Sequence, residues 1–232
     1  MKKLIFSLMA SVLVVSVAVK VSAQTVTRDV SGYNGIACGG PFHVFIKIDG
    51  TEGVKLDVDA NIVDDIKTEV ENGILKVEFK NHWKSHGNIQ RADIYISAKT
   101  VAYLANSGSG NTTVDGVMTA ENAKIALSGS GNIKTAVKSG TLDIKISGSG
   151  SIDVKGSTGL AECRISGSGQ INGKSLSTET VEASIAGSGD INIMASKKVS
   201  ARISGSGSVL YSGSASIGET RYAGSGRISK AD

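Results

Sequence analysis

Apolar residues occupy every second position in short bursts over the second half of the chain, and the bursts themselves recur. Leu104 and Asn106, Ile125 and Leu127, Ile144 and Ile146, Cys163 and Ile165, Ala183 and Ile185, Ala201 and Ile203, and Thr220 and Tyr222 each close one burst. A period of two marks a strand with one face turned inward. A second burst follows each of the last six, starting at Ile133, Ile152, Ile171, Ile191, Val209 and Ile228, often with another apolar residue two positions on, as at Val154 and Ile193.

Between the bursts lies Ser-Gly-Ser-Gly, beginning at Ser107, Ser128, Ser147, Ser166 and Ser204, or Ala-Gly-Ser-Gly, beginning at Ala186 and Ala223. Successive copies start 21, 19, 19, 20, 18 and 19 residues apart. So regular a period predicts a solenoid in which one repeat is one rung and neighbouring rungs bury each other. Each rung reads as two short strands with a glycine corner between them and a looser turn near Gly116, Gly140, Gly156, Gly173 or Gly213. No rung has the ten-residue amphipathic pattern of a crossover helix. The predicted fold is all-β, a parallel β-helix with rungs of about 19 residues; at about 4.8 Å per rung, seven rungs are roughly 30 Å long.

The structural repeat is the triplet Gly108-Ser109-Gly110, then Gly129-Ser130-Gly131, Gly148-Ser149-Gly150, Gly167-Ser168-Gly169, Gly187-Ser188-Gly189, Gly205-Ser206-Gly207 and Gly224-Ser225-Gly226. A sharp corner needs positive φ or close approach of rungs, and glycine supplies both. The serine row reads as structural, its stacked hydroxyls donating up the ladder to turn carbonyls; the competing reading is a ligand-facing stripe. Two charged rows flank the corners. Asp143, Glu162, Glu182 and Glu219 stand four residues before the tetrapeptide, and Lys145, Arg164, Arg202 and Arg221 two before it. Acidic beside basic, they read as a solvated ion-pair face, weak per pair; the competing reading is a carbohydrate-facing charged stripe.

The first half follows another plan. Strand patterns at His43–Ile48, Val54–Val58, Ile74–Phe79 and Ala92–Ile96 are separated by turn signals at Asp49-Gly50, Glu52-Gly53 and Asn72-Gly73, and 61–70 reads as a helical turn or a strand. The division is a signal peptide at 1–23, a strand-rich cap continuous with the solenoid at 24–100, and the β-helix at 101–232. A cap is needed because an open parallel stack presents a sticky edge.

Composition sharpens this outline. Glycine numbers 29 of 232 residues with a single proline, Pro41, which points to tight turns and excludes collagen-like or proline-rich chains. Lys2 and Lys3 precede an apolar run from Leu4 to Val19, and Val21-Ser22-Ala23 has the small residues of a signal-peptidase site. The run is short for a bilayer span, so the mature chain is expected to be exported, with no membrane span after cleavage. Loss of Lys2, Lys3 and Lys20 lowers the formal charge from +4 to +1, which removes the electrostatic case for nucleic acid. Cys38 and Cys163 read as two small buried side chains, with a bridge left open.

Candidate chemistry is sparse. Asp115, Asp153, Glu179 and Asp190 fall at different rung positions and show no calcium-loop spacing, so no metal, cofactor or catalytic group is expected. His43, His82 and His86 all lie outside the repeats. His82 and His86 flank Trp83, the one tryptophan; the trio reads either as a sugar-stacking ligand site or as a hairpin loop whose indole packs on the cap.

The segments Arg28-Asp29-Val30-Ser31-Gly32-Tyr33-Asn34-Gly35-Ile36 and Gly40-Pro41-Phe42-His43-Val44-Phe45-Ile46, followed by the glycine-serine-glycine ladder with Gly131-Asn132-Ile133, resemble the putative auto-transporter adhesin, head GIN domain family. The resemblance spans essentially the whole mature chain. It implies a right-handed, pectin-lyase-like β-helix in a secreted or surface-associated protein of Gram-negative, mostly Bacteroidetes-type bacteria, with an adhesion role and no catalytic residues. The expected function is a non-catalytic exported adhesion or interaction module facing surface glycans or proteins, located in the periplasm, at the outer surface or outside the cell. The alternatives are a structural envelope protein that assembles as a homo-oligomer, and a degenerate polysaccharide-active β-helix enzyme.

Overall fold

Each glycine corner delivers the chain onto the rung before it. The computed structural model describes residues 23–81 and 89–231. The repeat region forms β8 (Tyr103–Gly108), β9 (Asn111–Gly129), β10 (Asn132–Gly148), β11 (Ser151–Gly167), β12 (Gln170–Gly187), β13 (Asp190–Gly205), β14 (Ser208–Ser212), β15 (Ser216–Gly224) and β16 (Arg227–Lys230). Their pairing is parallel, and β10 lies on β11 without a slip from Asn132 opposite Ser151 to Gly148 opposite Gly167. The fold is a β-solenoid of the predicted kind.

The rungs differ from the expected two short strands. Each of β9 to β13 is a single bent strand of 16 to 19 residues, interrupted at the glycine corner alone. Gly156 shows why. It turns the chain at φ +114 while staying paired with Val137 on one side and Leu176 on the other. The unequal repeat lengths are absorbed past the corner, at slips between Lys134 and Ala136, Asp153 and Lys155, and Gly173 and Ser177. The corners themselves stay in line.

The two glycines of a corner answer different needs. Gly148 has φ +125, and a Cβ there would sit 2.4 Å from the Gly129 carbonyl oxygen. At Gly150 approach alone is the constraint: a Cβ would lie 2.3 Å from Gly131 O and 2.7 Å from Leu127 Cδ2. Between them the serine backbone N–H, rather than the hydroxyl, ties one corner to the last, as in Ser149 N to Gly129 O at 3.0 Å and Ser168 N to Gly148 O at 3.0 Å. Inside, Ile144, Ile146, Cys163, Ile165 and Ile185 are buried as the alternation requires. Asn106, the polar member of that column, donates from Nδ2 to Gly110 O at 2.8 Å and so satisfies its buried amide.

The first half contributes β1 (Ala23–Arg28), β2 (Gly35–Gly39), β3 (His43–Ile48), β4 (Gly53–Asp59), a 3-10 turn (Val63–Asp65), β5 (Ile66–Glu71), β6 (Ile74–Phe79) and β7 (Ala92–Ala98). Here chain order and stacking order part. Strands β2 and β3 lie in parallel on β8 and β9, as a further rung. Beyond them come β6 on β2 and β7 on β3, also parallel. Antiparallel strands then finish both sides: β5 on β6, and β4 on β7 followed by β1 on β4. The turn at 49–53 therefore joins no neighbouring strands, since β7 lies between β3 and β4. Asn72-Gly73 does close a hairpin, with φ +52 and +75.

Gly40-Pro41-Phe42 is one more corner, aligned with Gly108-Ser109-Gly110: Gly39 pairs with Ser107 and His43 with Asn111. Phe42 stands where every later corner has its second glycine. Its ring meets Phe79 at 4.9 Å between centroids and is buried. A phenylalanine thus closes the column of second glycines at this end, packed on Phe79.

The region 32–35 clamps this end. Glu52 Oε1 accepts from Gly32 N at 2.8 Å and Tyr33 N at 3.1 Å, and Lys99 Nζ reaches Glu52 Oε2 at 2.5 Å. The Tyr33 hydroxyl donates to Ser97 O at 2.5 Å and accepts from Gly53 N at 3.1 Å. At the far end β15 and β16 have no strand on their outer side among the described residues, and Ile217 (52% exposed) and Tyr222 (47% exposed) face solvent there. Cys38 and Cys163 are free and buried, and burial pushes both thiols up to about 12. No helix among the described residues is long and apolar enough to cross a membrane.

Candidate binding surface

Because side chains alternate in and out, each bend of the rung lays its outward residues into straight rows. The side that precedes the corner carries the charged rows. Arg164 bonds Asp143 on the rung below at 2.8 Å and Glu162 on its own rung at 2.6 Å, and Lys145 reaches Asp143 at 3.0 Å. The hydrogen bond to Glu162 and the nearby Asp143 charge raise the Arg164 pKa. Farther along, Arg221 and Arg202 reach Glu219 at 2.6 and 3.8 Å. Like charges stack from rung to rung within each row while opposite charges meet between the rows, so this face is largely self-neutralised.

The side that follows the corner carries amides and hydroxyls instead. Asn132 Nδ2 donates to Asn111 Oδ1 at 2.8 Å, and Ser151 Oγ donates to Asn132 Oδ1 at 2.6 Å. The row continues from His43 through Asn111, Asn132, Ser151, Gln170 and Asp190 to Ser208, whose hydroxyl and backbone N–H both donate to Asp190. The adjacent outward row reads Lys55, Tyr95, Phe45, Thr113, Lys134 and Asp153. Phe45 and Tyr95 are 44% and 39% exposed and stack with centroids 5.2 Å apart and planes 18° from parallel. Lys55 Nζ sits 5.4 Å from the Tyr95 centroid, a cation–π contact. Next to the rings an open cavity of about 370 Å³ is lined by Phe45, Tyr95, Lys47, Ser97, Thr113 and Asp115.

The residues picked out by sequence fall elsewhere. Trp83, His82 and His86 lie outside the described residues; the segment that holds them joins β6 to β7. The serines of the corners, Ser109 to Ser225, form an exposed row along the edge between the two sides. The rows expected to pair by charge do meet. The Phe45–Tyr95 pair was not among the sequence candidates, although a signal was present: Phe45 falls on the polar phase of His43–Ile48, between His43 and Lys47, and Tyr95 on the polar phase of Ala92–Ile96.

The chain matches the family model described as putative auto-transporter adhesin, head GIN domain, over residues 32–215. Among solved structures, it is similar to a putative adhesin from Bacteroides fragilis NCTC 9343, at 26% identity and a TM-score of 0.84, over 90% of this chain and 97% of that one. A putative lipid binding protein from Parabacteroides distasonis ATCC 8503 aligns at 26% identity and a TM-score of 0.73, over 90% and 97% of the two chains. A putative adhesin from Parabacteroides merdae ATCC 43184 shares the fold at 18% identity and a TM-score of 0.73, over 90% and 96%. No curated protein matches the sequence.

Proposed function

The chain belongs to the putative auto-transporter adhesin, head GIN domain family, and from that premise we propose that it is a non-catalytic, exported adhesion module whose solenoid faces meet a glycan or protein at a cell surface. The observation that carries this reading is the repetition of solvent-facing groups in straight rows, above all the row from His43 through Asn111, Asn132 and Ser151 to Asp190. A flat ladder of like groups, one per rung, suits an extended or repetitive partner. Export rests on the charged, apolar and small-residue succession of residues 1–23.

The test is retention of the full exported chain on bacterial and host cell surfaces, alongside incubation with acidic polysaccharides. Saturable retention with no new reducing ends or unsaturated products is the expected result. Turnover of any polysaccharide, or no retention on any surface, overturns it. A second reading, assembly into homo-oligomers, is favoured by Ile217 and Tyr222 at the open end of the stack. Light scattering that shows mass rising with concentration, abolished by Ile217→Lys, would put assembly first.

A further inference from the structure

The geometry points to the Phe45–Tyr95 pair and the adjoining cavity as a carbohydrate subsite, the point where the amide ladder begins and where a pyranose ring is held. This deepens the adhesion reading and rests on it. A ring separation of 5.2 Å exceeds the thickness of two aromatic rings in contact, so the two are slipped like overlapping tiles and part of a face of each stays uncovered. Sugars have a face of C–H groups bearing partial positive charge, which the negative face of an aromatic ring attracts. They also carry hydroxyls round the rim. The cavity answers both: Phe45 and Tyr95 supply the stacking surface, while the Asp115 carboxylate and the Thr113 hydroxyl, unpartnered among the described residues, accept and donate at its edge. A carboxylate takes two hydrogen bonds from a vicinal diol, and Lys47 stands opposite as a donor.

Other occupants fit less well. Two half-exposed rings offer only a small part of the roughly 800 Å² per partner that a stable protein interface covers. Around the rings Lys47, Lys55 and Arg91 are matched by Asp115, Asp57 and Asp93, so no excess positive charge draws an anionic lipid or nucleic acid surface. From the platform the row His43, Asn111, Asn132, Ser151 runs down the stack at about 4.8 Å per rung. A pyranose in an extended chain advances by a similar distance, so one hydrogen-bonding group meets each successive sugar.

The test uses the full chain and a panel of neutral oligosaccharides of two to six units, read by glycan array and titration calorimetry. At least one series binds the wild type, more tightly as the oligosaccharide lengthens. Phe45→Thr and Tyr95→Thr each weaken binding about tenfold or more, and Phe45→Trp restores it. Threonine already occupies the same outward row at Thr113, so these variants keep the strand, and an unchanged melting curve verifies that. Asn132→Ala weakens the longest ligands and spares the disaccharide. No binding of any oligosaccharide by the wild type, or equal binding by both threonine variants, overturns the subsite. Cell-surface retention separates the two failures: wild-type retention that Phe45→Thr leaves intact removes the subsite and keeps the adhesion reading, whereas loss of wild-type retention removes both.

Discussion

From β9 to β13 the rung laid down next in the chain is the rung stacked next in space, whereas from β2 to β7 it is not. In the repeat region a corner of two glycines brings the chain back on itself after about 19 residues, and each rung rests on its sequence neighbours. In the first half, strand β2 is held between β6 and β8, and strand β3 between β7 and β9. The first arrangement can grow or fray one rung at a time, as in other solenoids. The second cannot fray in chain order, because β7 is held between β3 and β4 and β6 between β2 and β5. It also stops the stack with antiparallel strands, while the opposite end shows Ile217 and Tyr222 to solvent.

The largest test of this contrast is Ile165→Asp. It puts an unpaired charge in the middle of the repeat and should cost about 4 kcal/mol or more. Because coupling is between nearest rungs, the damage should stay in the repeat half. The two thiols read this out separately, since Cys38 lies in β2 and Cys163 in β11 and burial keeps both un-ionised at neutral pH. Native-state alkylation is expected to modify Cys163 in the variant while Cys38 stays protected; equal labelling of both would show a single cooperative unit.

Gly167→Val comes next, at about 3 kcal/mol, for it combines φ +120 with a Cβ 2.4 Å from Gly148 O. A change at the aligned corner of the first half, Pro41→Ser, should be within about 0.5 kcal/mol, because it places there the residue the other corners carry at an exposed position. Denaturant midpoints for the pair check whether the Gly40 corner obeys the rules of the repeat. Tyr33→Phe removes the hydroxyl that bridges Ser97 O and Gly53 N and should cost about 1 to 2 kcal/mol. Its loss should appear as faster amide exchange at residues 32–35 and 97–99.

The smallest effect is a pH dependence of the same clamp. The bond from Lys99, then those from the Tyr33 and Gly32 backbone, hold the Glu52 carboxyl below its ordinary value of 4.5. A depressed carboxyl contributes stability that is present above its unfolded pKa and lost as pH falls through the folded one. Amide protection at residues 32 and 33 should therefore hold at neutral pH and decline below about 4.5. Glu52→Gln should flatten that profile, and an unchanged profile in this variant would place the acid sensitivity elsewhere.

Much of the repeat half was legible residue by residue. Ile133, Ile152 and Ile171 repeat in register, and the glycine corners announce both the period and the turn. Even there, single long strands in place of paired short ones were hidden, because whether a bend at Gly156 breaks a ladder depends on the rungs above and below it. In the first half, the alternation at His43–Ile48 and Ala92–Ile96 identified strands without their partners. Phe45 and Tyr95 each looked like an isolated aromatic on a polar phase. Trp83, His82 and His86 stand out instead, because their chemistry is local to one stretch of sequence.

The sequence by itself determined which residues face inward, where the chain turns and how long a rung is, because alternation, positive φ and close approach are properties of a few adjacent residues. Tertiary structure alone decided that β2 and β3 lie between the first repeat rung and β6 and β7, that Phe42 plugs the glycine column, and that Phe45 meets Tyr95. Main-chain hydrogen bonds pair any two strands alike, so where no repeat supplies a register, partners are chosen by the total burial of the assembled stack. That sum exists only once all the rungs are in place.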